Sequence, residues 1–176
     1  GIKELVSEFT TKHACCQNRV VNIHQISDIV RGVVIHPGER FSVNEYVGER
    51  TTEKGFVPAG AIAQGHFKDD VGGGVSQFAT TLFNAAFFAG LEFDEYQSHT
   101  IYLSRYPFGR EATLNYPDVD LSFINNTPYG VLIWTDYTDT SITVEMYSTK
   151  YWEVEQTGQA AWRSGRELAR RLLEVR

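Results

Sequence analysis

Apolar residues recur at helical spacing in two places. Val20, Ile23, Ile26 and Val30 form one line, with Asn18 as a cap and Gly32 as a stop, which predicts a helix over residues 18–31. In "VGGGVSQFATTLFNAAFFAGL", Phe78, Leu82, Ala85 and Ala89 form a second line, and Val75, Ala79, Leu82 and Ala86 a third beside it. Those lines predict a mostly buried helix over residues 76–89, closed by Gly90. Its polar positions Ser76, Thr80 and Asn84 stand at i, i+4 and i+8 and share one face, with Gln77 and Thr81 alongside.

Elsewhere the period falls toward two. "VPAGAIAQGHF" reads as a strand pair turning near Gly65. "LEFDEYQSHTIYLSRY" alternates, and "ATLNYPDVDLSFINNTPYGVLIWTDYTDTSITVEMYST" reads as three or more strands with Asn-, Pro- and Asp-rich turns. "DYTDTS" is a hairpin loop, "GERTTEKGF" a loop, and "HPGERFSVN" a turn followed by a short strand. Residues 2–13 fit neither period cleanly. The class is α+β, with a largely antiparallel central sheet packed on the 76–89 helix and the 18–31 helix alongside. Residues 1–157 form the domain. Ala161, Gly165, Leu168, Leu172 and Val175 make residues 158–176 a basic amphipathic helix, suited to docking on the body or to self-association.

Composition narrows the partners. The net charge of the 176 residues is −6; the stretch 159–176 carries five Arg and two Glu, which leaves the body at −9. An acidic body without Lys/Arg clusters argues against nucleic acid. No apolar run approaches the roughly 20 residues of a membrane span, and no signal peptide is recognised. The chain opens on Gly1 without Met, as a trimmed segment does. The only cysteines, Cys15 and Cys16, are neighbours, which is neither a disulfide framework nor a zinc spacing. No metal or cofactor is implied.

The chemistry concentrates at Gly72, Gly73 and Gly74. A helix N-terminus preceded by glycines offers unpaired N–H groups to a carboxylate or oxyanion. No Lys follows in the P-loop manner. Ser76 at that end is an N-cap in the first instance. As a nucleophile it needs a base; His99, on an expected strand, is the candidate, with Glu111, Asp118 or Asp120 to orient it. Asp69 and Asp70 read first as a solvated turn, and "NNTPYG" as a turn before a glycosylation acceptor.

In order along the chain, "FTTKH", "NRVVNI", "PGERFSVNEYVGERTTEKGF", "VGGGVSQFATTLFNAAFFAGL", "SHTIYLSRYPFGREATL" and "DLSFINNTPYGVLI" resemble the VanW-like family over residues 4–149. The family takes its name from an accessory protein of glycopeptide-resistance clusters, and its biochemical activity is unsettled. The resemblance implies a bacterial, extracytoplasmic, cell-envelope setting. The family's glycine run falls on Gly72–Gly74, its following Gln on Gln77, its helix Asn on Asn84, its "HS" His on His99, and its "GRDA" motif on Gly109-Arg110-Glu111-Ala112. Many members carry Cys where this chain has Ser76 and Asp where it has Glu111, an order similar to thiol enzymes.

Three functions follow as expectations. The first is a domain that binds peptidoglycan or its stem peptides, with Gly72, Gly73, Gly74, Gln77, Thr80, Asn84, His99 and Arg110 lining a cleft and Arg110 taking a carboxylate. The second is an acyl-transfer or amide-hydrolysing enzyme with Ser76 as nucleophile, His99 as base and Glu111 as orienting acid. The third is a structural or partner-docking domain that uses the basic tail.

Overall fold

The computed structural model describes residues 1–63, 66–157 and 174–175. The ambiguous N-terminal segment is a nine-residue strand, β1 (Glu4–Lys12). It is followed by α1 (Asn18–Val30), β2 (Val34–Ile35), β3 (Arg40–Ser42), a short helix α2 (Val43–Val47), the hairpin strands β4 (Pro58–Ala63) and β5 (His66–Val71), and α3 (Val75–Phe88). The C-terminal half adds β6 (Glu92–Glu95), β7 (Ser122–Ile124), β8 (Val131–Thr138), β9 (Ser141–Ser148), β10 (Val154–Glu155) and β11 (Glu174–Val175). The tail helix expected over 158–176, and the self-association assigned to it, fall outside the described residues except at Glu174–Val175. Those two residues pair as a strand with β10.

All strand pairings are antiparallel among the described residues. The main sheet has the order β1-β9-β8-β2, and a smaller one β3-β7-β6. In β8 and β9 alternate residues point inward: Ile133, Ile142, Val144 and Met146 are fully buried. They lie beneath α1 and α3, while the flanking polar positions face outward. On its other side α3 meets an aromatic cluster, with Phe83 stacked on Phe93 at 4.5 Å and Phe93 edge-on to Phe123 at 6.3 Å. With a sheet on one side and rings on the other, all of α3 from Gln77 to Phe87 is buried.

Two expectations are corrected. "FSVN" is not strand throughout, because the chain turns into α2 after Ser42. The Ser42 hydroxyl accepts from the Glu45 N–H, and the buried Asp120 carboxylate accepts from the Ser42 hydroxyl and from the N–H of Asn44 at 2.9 Å. Asp120 is therefore occupied as a cap and does not orient His99. Second, the strand that follows Gly90 ends at Glu95, the next begins only at Ser122, and His99 lies in irregular chain between them. "NNTPYG" is a turn, as expected: Asn125 is fully buried, its amide spent on the carbonyls of Ile35 and Tyr129.

Candidate functional site

The polar stripe of α3 is buried at Thr80 and Asn84 and half-buried at Ser76. The Leu114 N–H donates to Ser76 Oγ at 3.1 Å. Thr80 Oγ1 donates to Ala112 O at 3.0 Å and accepts from Ala112 N at 3.1 Å. Asn84 Nδ2 donates to Arg110 O at 2.9 Å, and Arg110 Nη1 donates to Asn84 Oδ1 at 2.8 Å. Four residues of helix rise about 6 Å and two residues of extended chain about 6.6 Å. Side chains at 76, 80 and 84 therefore match backbone at 114, 112 and 110. The stripe acts as a surrogate strand edge, and this is why residues 110–114 need no sheet.

This docking turns residues 111 and 113 to the other side. Thr113 N and Oγ1 both donate to Gln97 O, at 2.8 and 2.9 Å, which secures the segment before His99. His99 Nδ1 then lies 3.1 Å from Glu111 Oε2, with both side chains largely buried. Glu111 is thus the acid that His99 meets. No hydrogen bond joins Ser76 and His99 among the described residues. Ser76 is not the N-cap of α3 either; Gly74 is, at φ +98°.

Each glycine of the run admits a particular neighbour. A Cβ on Gly72 would stand 2.8 Å from Arg50 Cβ, one on Gly74 2.8 Å from Arg19 Cβ, and one on Gly73 2.1 Å from the carbonyl oxygen of Ala59. The run lets two arginine stems and β4 close around the start of α3. Asn22 of α1 fixes the turn from below, donating to Gly73 O at 2.9 Å and accepting from Val57 N at 2.8 Å.

A cleft of about 740 Å³ opens at this turn. Gly72–Gly74, Ser76, Gln77 and His99 line it, together with Arg19, Arg50, Arg105 and Tyr106. Thr80, Asn84, Arg110 and Glu111 are not among its lining residues. The Arg110 guanidinium is held on Asn84 and lies 4.9 Å from the centre of the Phe88 ring. Gln77 is fully buried: Oε1 accepts from Arg19 Nη2 at 3.1 Å, and Nε2 donates to Thr11 Oγ1 and Lys12 O.

Arg50 Nε, Arg50 Nη2 and the Tyr106 hydroxyl are three of the five buried side-chain atoms without a partner among the described residues; the other two are His13 Nε2 and Arg110 Nε. Arg50 is 7% exposed. Its Nη1 donates to Asn44 Oδ1 at 2.6 Å and Gly48 O at 3.2 Å, but Nε and Nη2 have no partner. Burial pulls the Arg50 pKa down to about 10, against an upward pull from Asp120. The N–H groups of Gly74 and Ser76 find no acceptor among the described residues. No group of His, Cys, Asp and Glu among the described residues is placed to hold a metal. The sequence pattern missed Arg19, Arg50, Arg105 and Tyr106. Arg50 sits in a stretch that reads as a solvated loop, and no periodicity marks a loop arginine that folds inward. Arg19 and Asn22, three apart on α1, carried the one legible signal.

The protein is of the α+β class, with an arginine-walled cleft at a glycine-bounded helix start. Residues 18–147 match the family described as VanW like protein, and the chain belongs to that family. It is 35% identical over 133 residues to the uncharacterized protein YoaR of Bacillus subtilis (strain 168), covering 76% of this chain and 44% of that protein. It is 24% identical over 139 residues to the vancomycin B-type resistance protein VanW of Enterococcus faecalis (strain ATCC 700802 / V583), covering 76% of this chain and 50% of that protein. The chain spans about half the length of these curated relatives or less. No solved structure matches. No helix among the described residues is long and apolar enough to cross a membrane.

Proposed function

We propose that this domain binds peptidoglycan stem peptides in the envelope, holding an acidic group of the peptide at the start of α3. The observation that carries the reading is Arg50. A guanidinium 7% exposed, with two nitrogens unpaired beside free helix N–H groups, is costly without an anion. A carboxylate at the cleft offsets that cost and is favoured by the helix dipole. The relative named as a vancomycin resistance protein supports the cell-wall setting. Calorimetric titration of soluble muropeptides into the parent chain and Arg50→Gln tests it. The expected result is saturable binding weakened at least tenfold in the variant; equal binding by both would sink the reading.

The pairing of His99 with Glu111 on a cleft that also holds Ser76 favours one second reading. The acid orients the base, and the Ser76 hydroxyl, accepting from Leu114 N, keeps its own proton to give. The reaction is acyl transfer or amide hydrolysis on the same peptides. Mass spectrometry of muropeptides incubated with the parent, Ser76→Ala and His99→Ala decides it. A new product made by the parent and lost in both variants establishes the enzyme; no product with any of the three leaves binding alone.

A further inference from the structure

We infer that the cleft carries a second anionic subsite formed by Arg19, Arg105 and Tyr106, so that its ligand presents two separate acidic groups. The inference rests on the peptide-binding reading and goes further by setting the ligand's charge pattern.

The first ground is charge without a contacting carboxylate, Asp120 acting on Arg50 only from beyond ion-pair distance. The chain has 22 Asp and Glu against 16 Lys and Arg. Yet Arg19, Arg50 and Arg105, all on the cleft wall, form no ion pair with a carboxylate among the described residues. Glu49, Glu53 and Asp70 also line the cleft, but all three are exposed and none pairs with these arginines. In a body that is acidic overall, three unpaired guanidiniums converge on one cavity.

The second ground is how the pair is held. Gln77 Oε1 fixes Arg19 Nη2 from one side, and the Arg105 guanidinium lies 5.0 Å from the centre of the Tyr106 ring. Tyr106 also stacks on His99, with ring centres 5.7 Å apart. Tyr106 is 5% exposed, and both arginines bear on its hydroxyl oxygen, while its O–H meets no acceptor. Burial raises the Tyr106 pKa, so the phenol keeps its proton and remains a donor. Burial first, and then Arg105, lower the Arg19 pKa. Like charges brought together around an idle donor describe a site that lacks its anion.

The third ground is separation. Arg50 packs against Gly72 and Arg19 against Gly74, so they flank opposite ends of the glycine turn. Arg50 with the helix N–H groups serves one acidic group. Arg19, Arg105 and the Tyr106 hydroxyl serve the other.

The test uses a peptide with two free carboxylates, its two mono-amides and inorganic phosphate, titrated by calorimetry into the parent, Arg105→Gln and Tyr106→Phe. Arg105 is exposed, so its replacement leaves the fold intact. The expected result is diacid binding at least tenfold tighter than either mono-amide, with that preference reduced to less than threefold in Arg105→Gln and lowered in Tyr106→Phe. Mono-amides binding as tightly as the diacid would overturn the inference and leave the peptide reading standing. No binding of any peptide would remove both. Phosphate displacing the diacid at equal concentration would also overturn it, because one dianionic group would then fill both subsites.

Discussion

Two ends of one polar surface on α3 behave in opposite ways. Along the stripe of half-buried Ser76 and buried Thr80 and Asn84, polar groups are matched: residues 110–114 are docked there, and both polar atoms of the Asn84 amide are used. At the glycine turn two buried side chains, Arg50 and Tyr106, keep unpaired polar atoms. Both regions are polar and buried, so neither polarity nor burial separates structure from function. Satisfaction does. Matched groups hold chain to chain, and unmatched ones hold a place for a ligand.

The largest effect expected is Gly73→Ala, which breaks both regions at once. Its Cβ would fall 2.1 Å from the Ala59 carbonyl oxygen and 2.5 Å from its carbon, and backbone cannot step aside as a side chain does. A loss of about 3 kcal/mol or more is expected in urea denaturation.

Asn84→Leu breaks the matched region alone. It leaves Arg110 Nη1 and Arg110 O without partners against α3. The expected cost is about 2–3 kcal/mol by the same assay, with peptide affinity of the folded protein changed less than threefold.

Arg50→Gln sharpens the contrast from the other side, with at least a tenfold loss of affinity and a smaller change in stability than Asn84→Leu. Its pH signature has a definite sign. The folded-state pKa of Arg50, about 10, lies below the ordinary guanidinium value. Between those values the unfolded chain binds more protons, so this group makes stability rise with pH across that window. The stability gap should therefore move in favour of the parent as pH rises through about 10, read as the difference in Tm between the two proteins. A gap that stays constant would mean that Arg50 is not held in its unfavourable buried state.

The smallest effect belongs to the exposed Arg40–Asp94 pair at 2.7 Å, which stands outside both regions. The Arg40 hydrogen bond lowers the Asp94 pKa. Its contribution is present above the ordinary carboxylate range and lost as pH falls through Asp94's own lower value. Because both side chains are well hydrated, Asp94→Asn should cost only a few tenths of a kcal/mol near pH 7. Thermal denaturation at pH 7 and pH 3 should show that small gap closing.

Much of the architecture was legible from periodicity. Both long helices, the Pro58–Val71 hairpin and the β8–β9 hairpin follow from repeats of 3.6 and 2 together with turn residues. The stripe at 76, 80 and 84 was visible as a polar face; what it faced was not. Residues 97–106 and 112–121 looked strand-like in the sequence, but the pattern also suits a chain laid along a helix edge, as at residues 112–114. The strand β1 escaped because Ser7 and Thr11 are polar at buried positions, their hydroxyls spent on Ala85 O and Thr81.

The sequence by itself determined the local elements, the glycine run before α3, the order of Ser76, His99 and Glu111, and the family. Those are properties of neighbours in the chain, set by spacing and side-chain type. Only the tertiary structure decided that Glu111 meets His99, that Arg110 lies on Asn84 outside the cleft lining, and that Arg19, Arg50 and Arg105 surround the cleft in its place. Those are distances between residues as far as 86 positions apart, set by how α3, α1 and the 97–114 segment pack together. Whether a buried polar group finds its partner depends on that packing, and here that difference separates the scaffold from the site.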